Sequence, residues 1–525
     1  MNLEEPPMRV RSLTRVPCLL ALAVLIPAQA PAQSTAVTQF PANKAAGVNP
    51  DTHLVLTFSS APVLGKSGEV RIYDAADHQL VDTLDLSIPA GPDPSRRAVT
   101  ATPPVVDPNA PASPTTTTPA VKTTPSDLHN YQLTTIGGLA DFHFYPVILH
   151  GNVATIYPHN NVLKYHHKYS VQIDAGVLSP ATGAFAGYAS DAWTFTTKAA
   201  TPAANATRVV VAADGSGDFN TVQGAVDFVP DNPPQRVTIF IRNGTYEEIV
   251  FFRNKANLTF RGEDRDKVQV GYANNSGFNP PMPGPSRRCS FSAYDSTGIE
   301  LVNFSVSNYA YGQAEGLLVS GSKNIVSHMN IKGSGDALNL RGPVYLTDSR
   351  IVGDGDTILG VGPAFFNHCE ISSMGPYMWI RNTDANHGNV FLNSTFITRE
   401  RPAPATPVQP PAPAPGAAAP PAHAPMGAVL ARLPNNHGLN YPYAEAVLIN
   451  CHLKGIPPAG WGPIDDDTSH LHLWEFNSTD LDGHAIDTSQ RHPVSKQLAM
   501  PQDAQTIADY SKPEFVLGGW TPVVE

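Results

Sequence analysis

The sequence predicts an all-β protein in which a β-sandwich precedes a right-handed parallel β-helix. Proline accounts for 51 of the 525 residues and charged residues for only 15%, a composition that disfavours long helices because proline breaks them. In the first part of the chain, short runs alternate between apolar and polar residues, as the strands of a sandwich do. In the second part, a six-residue phrase recurs at nearly constant intervals, which is typical of a solenoid.

Residues 1–32 predict a signal peptide and therefore export. Three arginines precede the apolar run 18–26, and small residues ending at Ala32 follow it, which is the order of a secretory signal cleaved after Ala32. The apolar run is shorter than the ~20 residues that a membrane-spanning helix needs. We therefore expect a secreted or periplasmic protein without a membrane anchor.

Residues 37–198 predict the β-sandwich. Turn residues separate its alternating runs, which include LVLTFS (54–59), EVRIYDA (69–75), YSVQIDA (169–175) and AWTFTTK (192–198). The opening phrase PANKAAGV (41–48) and the closing W-T-F-T-T strand resemble bacterial Ig-like domains. That resemblance implies the sandwich fold and, by analogy, a spacer or carbohydrate-proximal role.

Two proline-rich segments interrupt the predicted domains. One lies at 103–125 within the sandwich, and the other at 401–427 within the second domain. Such composition favours extended surface loops over packed structure. The stretch 199–207 predicts the interdomain linker, so the β-helix is expected over residues 208–525.

The charge balance excludes one class of partner. The chain has 34 basic and 45 acidic residues, a net charge of −11 at pH 7. Nucleic acid and anionic membranes select basic surfaces. Nucleic-acid binding is therefore not expected.

The repeated phrase predicts how the solenoid stacks. It begins at Leu301, Val326, Leu346, Phe366, Phe391 and Leu448. The first four intervals are 25, 20, 20 and 25 residues, and the last, of 57, shortens to about one coil when the 401–427 insert is subtracted. Coils of this length are too short for a strand and a full crossover helix. We therefore expect six phrases stacked in register as the strands of a parallel β-helix.

Two aspartates share one position in neighbouring coils. Asp336 in GSGDALNL and Asp356 in GDGDTILG each lie ten residues after the start of their phrase. Stacking would place them about 5 Å apart, because neighbouring strands lie about 4.8 Å apart. Two carboxylates so close titrate as a unit, which yields one acid and one base and suits a nucleophile beside a proton donor. A solvated ladder of turn aspartates is the alternative.

Several blocks in order resemble the pectin methylesterase (pectinesterase) family over Val209 to Pro522. The first blocks are ADGSGDFNTVQGAVDFVP (213–230), IFIRNGTYEE (239–248) and NLTFRGED (257–264). The central blocks are YGQAEGLLV (311–319), GDALNL, GDGDTILG, FFNHCEI (365–371) and LARLP (430–434). The closing blocks are WGPIDDD (461–467), LWEFN (473–477) and DAQTIADYSKPEFVLGGWTP (503–522). The resemblance implies a parallel β-helix that hydrolyses methyl esters on pectin without a cofactor or a metal ion.

Matched residue by residue, the resemblance implies catalytic roles for four side chains. Asp356 would attack the ester carbonyl, and Asp336 would protonate the leaving alkoxide and then activate water. Arg432 would hold the Asp356 carboxylate ionised through a bidentate pair. Gln313 would donate to the developing oxyanion. The expected partner is a pectin-like polysaccharide, and we expect a monomer, as capped β-helices can be.

The sequence departs from the family pattern around this pair. Gly335 stands where the family carries a second glutamine, and losing one oxyanion donor typically costs about 10²–10³ in rate. Asn339 and Leu359 stand where aromatic rings are expected. We predict substrate contacts at Gly335 and at three replacement rings, Trp379, Tyr441 and Trp461.

Three alternatives to a pectin esterase stay open. The same fold without sugar-stacking rings would resemble an acyl thioesterase. With a weakened site it would bind carbohydrate without turnover. Asp354 and Asp356, with nearby carbonyl oxygens, could instead hold calcium in a polysaccharide lyase.

Overall fold

The computed structural model describes residues 37–90, 131–280, 284–382, 384–401, 427–433, 441–465 and 467–524. The predicted signal peptide, the segment 103–125 and residues 402–426 of the second proline-rich segment lie outside the described residues. Within the described ranges, no helix combines the length and the hydropathy of a membrane span.

Thirteen strands form the described part of residues 37–198. They are β1 (Val37–Phe40), β2 (Ala45–Val48), β3 (Leu54–Phe58), β4 (Pro62–Leu64), β5 (Glu69–Asp74), β6 (Leu80–Asp85), β7 (Leu133–Ile136), β8 (Leu139–His143), β9 (Val147–His150), β10 (Val153–Ile156), β11 (Lys168–Ile173), β12 (Leu178–Pro180) and β13 (Tyr188–Thr197). We call this part the amino-terminal unit.

Two sheets of the amino-terminal unit share one apolar core. Their strand orders are β1-β3-β10-β9 and β2-β13-β11-β5-β6. Alternate residues of a strand point to opposite faces, and in β3 Leu54, Leu56 and Phe58 are accordingly buried in the core. Trp193 of β13 is buried there from the second sheet. The unit is thus two packed sheets, and its Ig-like character stays a prediction.

From Arg208 onward the chain forms a parallel β-helix. Its elements are β14 (Arg208–Val211), α1 (Val222–Phe228), β15 (Val237–Ile241), β16 (Gly244–Glu247), β17 (Val250–Arg253), β18 (Leu258–Gly262), β19 (Val268–Tyr272), β20 (Phe291–Thr297), β21 (Glu300–Val302), β22 (Ser305–Asn308), β23 (Leu317–Ser322), β24 (Asn324–Ser327), β25 (Asn330–Lys332), β26 (Leu338–Arg341), β27 (Val344–Thr347), β28 (Arg350–Val352), β29 (Ile358–Gly360), β30 (Ala364–Asn367), β31 (Glu370–Ser373), β32 (Met378–Ile380), β33 (Asn389–Leu392), β34 (Thr395–Thr398), β35 (Ala431–Arg432), β36 (Glu445–Ile449), β37 (His452–Lys454), β38 (His472–Phe476), β39 (Lys496–Gln497), α2 (Ala504–Tyr510) and α3 (Pro513–Val516).

Three parallel sheets run along the β-helix, and successive strands of the chain enter them in turn. Sheet 1 has the order β14-β15-β18-β21-β24-β27-β30-β33-β36-β38-β39, sheet 2 the order β16-β19-β22-β25-β28-β31-β34-β37, and sheet 3 the order β17-β20-β23-β26-β29-β32-β35. This topology confirms the predicted solenoid.

The strand pairing confirms the stacking predicted from the repeated phrase. The phrase starts are Cα partners in sheet 1: Leu301 with Val326, Val326 with Leu346, Leu346 with Phe366, Phe366 with Phe391, and Phe391 with Leu448. One detail of the prediction is wrong, because each phrase is not a single strand. It spans the end of a sheet 1 strand, a turn, and the start of a sheet 2 strand.

The turn inside each phrase explains its polar third residue. That residue has a positive φ of 51° to 63° in all six phrases, at Asn303, His328, Asp348, His368, Asn393 and Asn450. Asn, Asp and His enter the left-handed region more readily than other residues that carry a Cβ. A side chain of this kind at the turn therefore lets the chain leave sheet 1 and enter sheet 2 at every coil.

The amino-terminal unit docks on the first coils of the β-helix. The Asp51 carboxylate accepts hydrogen bonds from the backbone N–H groups of Asn220 and Thr221, at 2.9 and 2.8 Å, and from the Thr221 hydroxyl at 2.8 Å. Thr221 is the N-cap of α1. In addition, Phe142 of the β7–β8 hairpin packs against Phe251 in a separate buried cluster. These contacts hold the two parts of the chain together around a shared interface.

Candidate active site

The turns that lead from sheet 2 to sheet 3 form one column along the β-helix. Asp336 lies in the turn before β26, and Asp356 lies in the next turn, before β29. Leu338 is the Cα partner of Ile358 across these strands, and each aspartate lies two residues ahead of its member of that pair. The structure therefore places the aspartates on adjacent rungs of one face, where strands lie about 4.8 Å apart.

Asp356 is held by Arg432 in the bidentate arrangement that the resemblance implied. Arg432 lies on β35, and its Nε and Nη2 donate to Oδ1 and Oδ2 of Asp356 at 2.7 and 2.5 Å. Both side chains are 17% exposed. The planar guanidinium fixes both oxygens of the carboxylate, because two parallel charge-assisted hydrogen bonds leave little freedom of rotation.

Asp336 lies in an environment of the opposite kind. Burial raises the pKa of Asp336 to about 8, with further contributions from the negative charges of Glu315 and Asp356, while Arg288 acts in the lowering direction. Arg288 lies 3.4 Å from Asp336. Burial thus favours the protonated form of Asp336, which is the state that a general acid requires.

Glu315 weakens the effect of Arg288 on the pKa of Asp336. Glu315 is fully buried, and its Oε1 accepts a hydrogen bond from Nε of Arg288 at 2.6 Å. The guanidinium is therefore shared between two carboxylates, and Glu315 is the nearer one. Neither residue was among those predicted from the sequence. Glu315 stands two positions after Gln313 in the same block, and Arg288 belongs to an arginine pair just ahead of β20.

Trp379 lies beside the carboxylate pair as a neighbour of Arg432. The two residues are Cα partners across β32 and β35, and the Arg432 guanidinium lies 4.6 Å from the indole ring. Arg381, also missed by the sequence analysis, lies 4.0 Å from the same ring. The partly buried ring thus supports the arginine that holds Asp356, by packing and by cation–π attraction.

Gln313 lies on the rim of the site. It is exposed in the turn between β22 and β23, one rung before Asp336. The next residue, Ala314, forms an isolated antiparallel bridge with Ser334. This bridge brings the turn of Gln313 against the turn that carries Gly335 and Asp336.

Gly335 is required by the backbone at its position. Its φ is 67°, and a Cβ there would lie 2.4 Å from the carbonyl oxygen of Gly312. A glutamine at residue 335 would need both a strained backbone and a displaced neighbouring turn. Only backbone atoms of Gly335 are therefore available for the substrate contact that the sequence predicted there.

The predicted substrate contacts at Tyr441 and Trp461 are wrong. Both residues are 1% exposed and belong to the core of the β-helix. The indole N–H of Trp461 donates to Oε1 of Glu475 at 3.2 Å. A ring that is buried on both faces has no exposed face on which a sugar could stack. These two side chains therefore stabilise the fold instead.

The two carboxylates proposed as calcium ligands are paired with arginines. Asp354 is 3.0 Å from Arg399 and accepts a hydrogen bond from the Ser334 hydroxyl at 3.0 Å, while Asp356 is occupied by Arg432. Arginine partners compete with a cation for carboxylate oxygens. Among the described residues, the group with metal-ligand spacing lies elsewhere, at Asp480, Asp482 and His484.

Comparison with known proteins finds a family match over part of the chain that carries this site. Residues 208–394 match the Pectinesterase family model, and this range includes Gln313, Asp336 and Asp356 but ends before Arg432.

Curated relatives match over part of their length. The chain is 29% identical over 185 residues to probable pectinesterase/pectinesterase inhibitor 19 of Arabidopsis thaliana, which covers 35% of each chain. It is 33% identical over 185 residues to pectinesterase QRT1 of the same plant, covering 33% of this chain and 49% of the relative. The chain thus spans about a third to a half of the length of these relatives.

Solved structures with similar chains include two pectin methylesterases. The carrot enzyme is 24% identical with a TM-score of 0.46, over 59% of this chain and 93% of that chain. PemA from Erwinia chrysanthemi is 21% identical with a TM-score of 0.46, over 60% of this chain and 98% of that chain.

Proposed function

We propose that the protein is a carboxylic ester hydrolase that demethylates pectin or a related esterified polysaccharide. The observation that carries this proposal is a pair of carboxyl groups on adjacent rungs in different environments. Asp356 accepts two hydrogen bonds from Arg432, and Asp336 has a raised pKa because of its burial. The match to the Pectinesterase family over 208–394 supports the substrate class.

The proposed reaction assigns one step to each member of the pair. A carboxylate oxygen of Asp356 attacks the ester carbonyl carbon, and Gln313 donates to the oxyanion that forms. When the intermediate collapses, Asp336 gives its proton to the methoxide, and methanol leaves. The Asp336 carboxylate then takes a proton from a water molecule that attacks the acyl-enzyme, which releases the free carboxylic acid and restores both side chains.

Methanol release tests the proposal. The protein should release methanol from highly methylated pectin, and Asp356→Asn should abolish the release, because an amide is not an effective nucleophile. Asp348→Asn is the matched control, since Asp348 lies at a turn between sheet 1 and sheet 2 of the same coil as Asp356 and has a φ of 51°, which asparagine adopts readily. Full activity in Asp356→Asn, or equal loss in both variants, would overturn the assignment.

A weakened enzyme that mainly binds polysaccharide is the second candidate. The observation that favours it is Gly335, which has no side chain and cannot be replaced by glutamine without the clash with Gly312. In that case the protein would bind pectin without measurable methanol release. Release of the CoA thiol from acyl-CoA, or of a phenol from aryl esters, tests the thioesterase alternative.

We further propose that the protein is exported and acts as a monomer. The signal pattern of residues 1–32 supports export, and the mature protein should begin at Gln33. Amino-terminal sequencing of the secreted product and light scattering of the purified protein test these two points.

A further inference from the structure

A cleft of about 660 Å³ lies between the amino-terminal unit and the first coils of the β-helix. We call it the interdomain cleft. Its lining from the amino-terminal unit includes Phe40, Val55 and Thr155, and its lining from the β-helix includes Tyr246 and Tyr309. It lies apart from Asp336 and Asp356, neither of which lines it.

The interdomain cleft lies on the same column of turns as the candidate active site. Glu247, Ala273 and Tyr309 line the cleft and lie at the end of, or just after, β16, β19 and β22, where three successive turns from sheet 2 to sheet 3 begin. The next turn of the column holds Asp336. Counted along the axis of the β-helix, the cleft therefore lies one to three rungs before the turn that carries Asp336, an axial separation of about 5 to 14 Å at the usual strand spacing.

The side chains of the cleft suit a sugar polymer. Tyr309 is 45% exposed and Phe40 is partly exposed, so each has ring surface against which a pyranose can pack. The hydroxyl groups of Thr155 and Thr245 and the exposed ring of His150 add polar groups at the margin. Apolar walls with a few polar groups are typical of sites for neutral organic ligands.

The charges in the cleft discriminate against an ionised polymer. None of the residues that line it is lysine or arginine. Glu247 lies 2.8 Å from His150 and accepts a hydrogen bond from the Tyr157 hydroxyl at 3.3 Å. A carboxylate of the substrate would meet the negative charge of Glu247 without a strong cation to balance it, which disfavours binding.

We propose that the interdomain cleft binds an uncharged, methyl-esterified stretch of the same polysaccharide whose ester groups are cleaved at Asp336 and Asp356. This inference rests on the proposed function. It makes the amino-terminal unit part of the substrate-binding surface, and it assigns the cleft a preference for esterified over ionised sugars.

Filling the cleft tests the inference. Val55→Trp places an indole in the cleft from β3, and Val63→Trp is the matched control, because Val63 lies on β4 of the same unit, is 66% exposed and does not line the cleft. Methanol release is measured on esterified oligomers of increasing length. In the wild type, kcat/KM should rise with length. In Val55→Trp this rise of kcat/KM with length should be lost, because KM for long oligomers increases about tenfold while kcat stays the same. The kcat/KM for the shortest oligomers should not change.

Two results of that experiment would overturn the inference. One is a Val55→Trp variant that keeps the full length dependence. The other is equal impairment on short and long oligomers, which would indicate a general defect. If thermal unfolding shows that Val55→Trp is destabilised, Tyr309→Ala replaces it, with Tyr311→Ala as its control, since Tyr311 is 83% exposed and does not line the cleft.

A binding experiment separates failure of this inference from failure of the proposed function. Affinity electrophoresis compares gels that contain highly esterified or fully de-esterified pectin. If the wild type releases no methanol, the proposed function fails. Binding of esterified polysaccharide in the cleft would still be supported if esterified pectin retards the wild type and Val63→Trp but not Val55→Trp. Equal retardation by both pectins, or no difference between the two variants, would overturn the cleft assignment.

Discussion

Replacing Glu315 by glutamine should move the alkaline limit of activity to lower pH. Glu315 is fully buried, and its charge is one of the causes of the raised pKa of Asp336. The variant removes that charge. It also frees Arg288, which Glu315 holds at 2.6 Å, to pair with Asp336, now 3.4 Å away. Both changes favour the ionised form of Asp336 and therefore lower its pKa.

The size of the shift follows from the geometry of the shared arginine. Two carboxylates that contact one guanidinium lie on the order of 6 Å apart, and at an effective dielectric constant of about 20 their repulsion is about 3 kcal/mol, or about two pKa units. In the proposed reaction Asp336 must be protonated to release methanol, so kcat/KM should be retained below its pKa and lost as the pH rises through it. We therefore expect the alkaline limb of Glu315→Gln to lie about one to two pH units below that of the wild type.

The assay is a pH profile of kcat/KM for methanol release from esterified pectin. Glu370→Gln serves as the control, because Glu370 lies on β31 in sheet 2, outside the turns that carry the site. Its profile should match the wild type. A Glu315→Gln variant that stays folded in thermal unfolding and keeps the wild-type alkaline limb would refute the role given to Glu315.

Three further substitutions have defined outcomes. Arg432→Lys loses the paired contact with Asp356, and kcat for methanol release should fall by about 10- to 100-fold, since a charge-assisted pair contributes about 1.5 to 3 kcal/mol; a change of only a few-fold would contradict this. Gly335→Ala should lower the free energy of unfolding in urea by about 1 to 3 kcal/mol, whereas Gly355→Ala, whose Cβ would meet its nearest atoms at 3.8 Å, should not. Asn393→Val should destabilise the fold by about 1 to 2 kcal/mol because Asn393 has a φ of 51°, and Asn393→Gly should be tolerated; equal loss in both would argue against a backbone cause.

The stacking of the β-helix was predictable to the residue. A parallel solenoid repeats one coil, so each phrase start must meet the next, and the pairing of Leu301 with Val326 and of Phe391 with Leu448 follows this rule across intervals of very different length. The left-handed turn at the third residue of each phrase keeps the polar side chain at a constant position. The same regularity placed Asp336 and Asp356 on adjacent rungs.

Residues outside the repeat were not predictable in the same way. Arg288 precedes Asp336 by 48 residues and reaches it from a turn of irregular length, so no periodic spacing connects them. The burial of Tyr441 and Trp461 was also invisible, because an aromatic residue in a turn can point into the core or into solvent. Their environments depend on the packing of several coils and not on local pattern.

The positions of the aromatic rings connect the candidate active site with the interdomain cleft. On the face of sheet 3, Asn339, Leu359 and Trp379 are successive Cα partners, and the first two are buried and lack rings. Trp379, at the third of these positions, carries an aromatic ring, which packs against Arg432. Of these three positions on sheet 3, only that of Trp379 carries a ring, so other surfaces should add to the affinity for a polymer. Tyr309 with the rest of the cleft lies one to three rungs away on the same column of turns. The proposed esterase should therefore discriminate strongly between short esters and long polymers. Comparable kcat/KM values for the two substrate classes would argue against a contribution of the cleft to substrate binding.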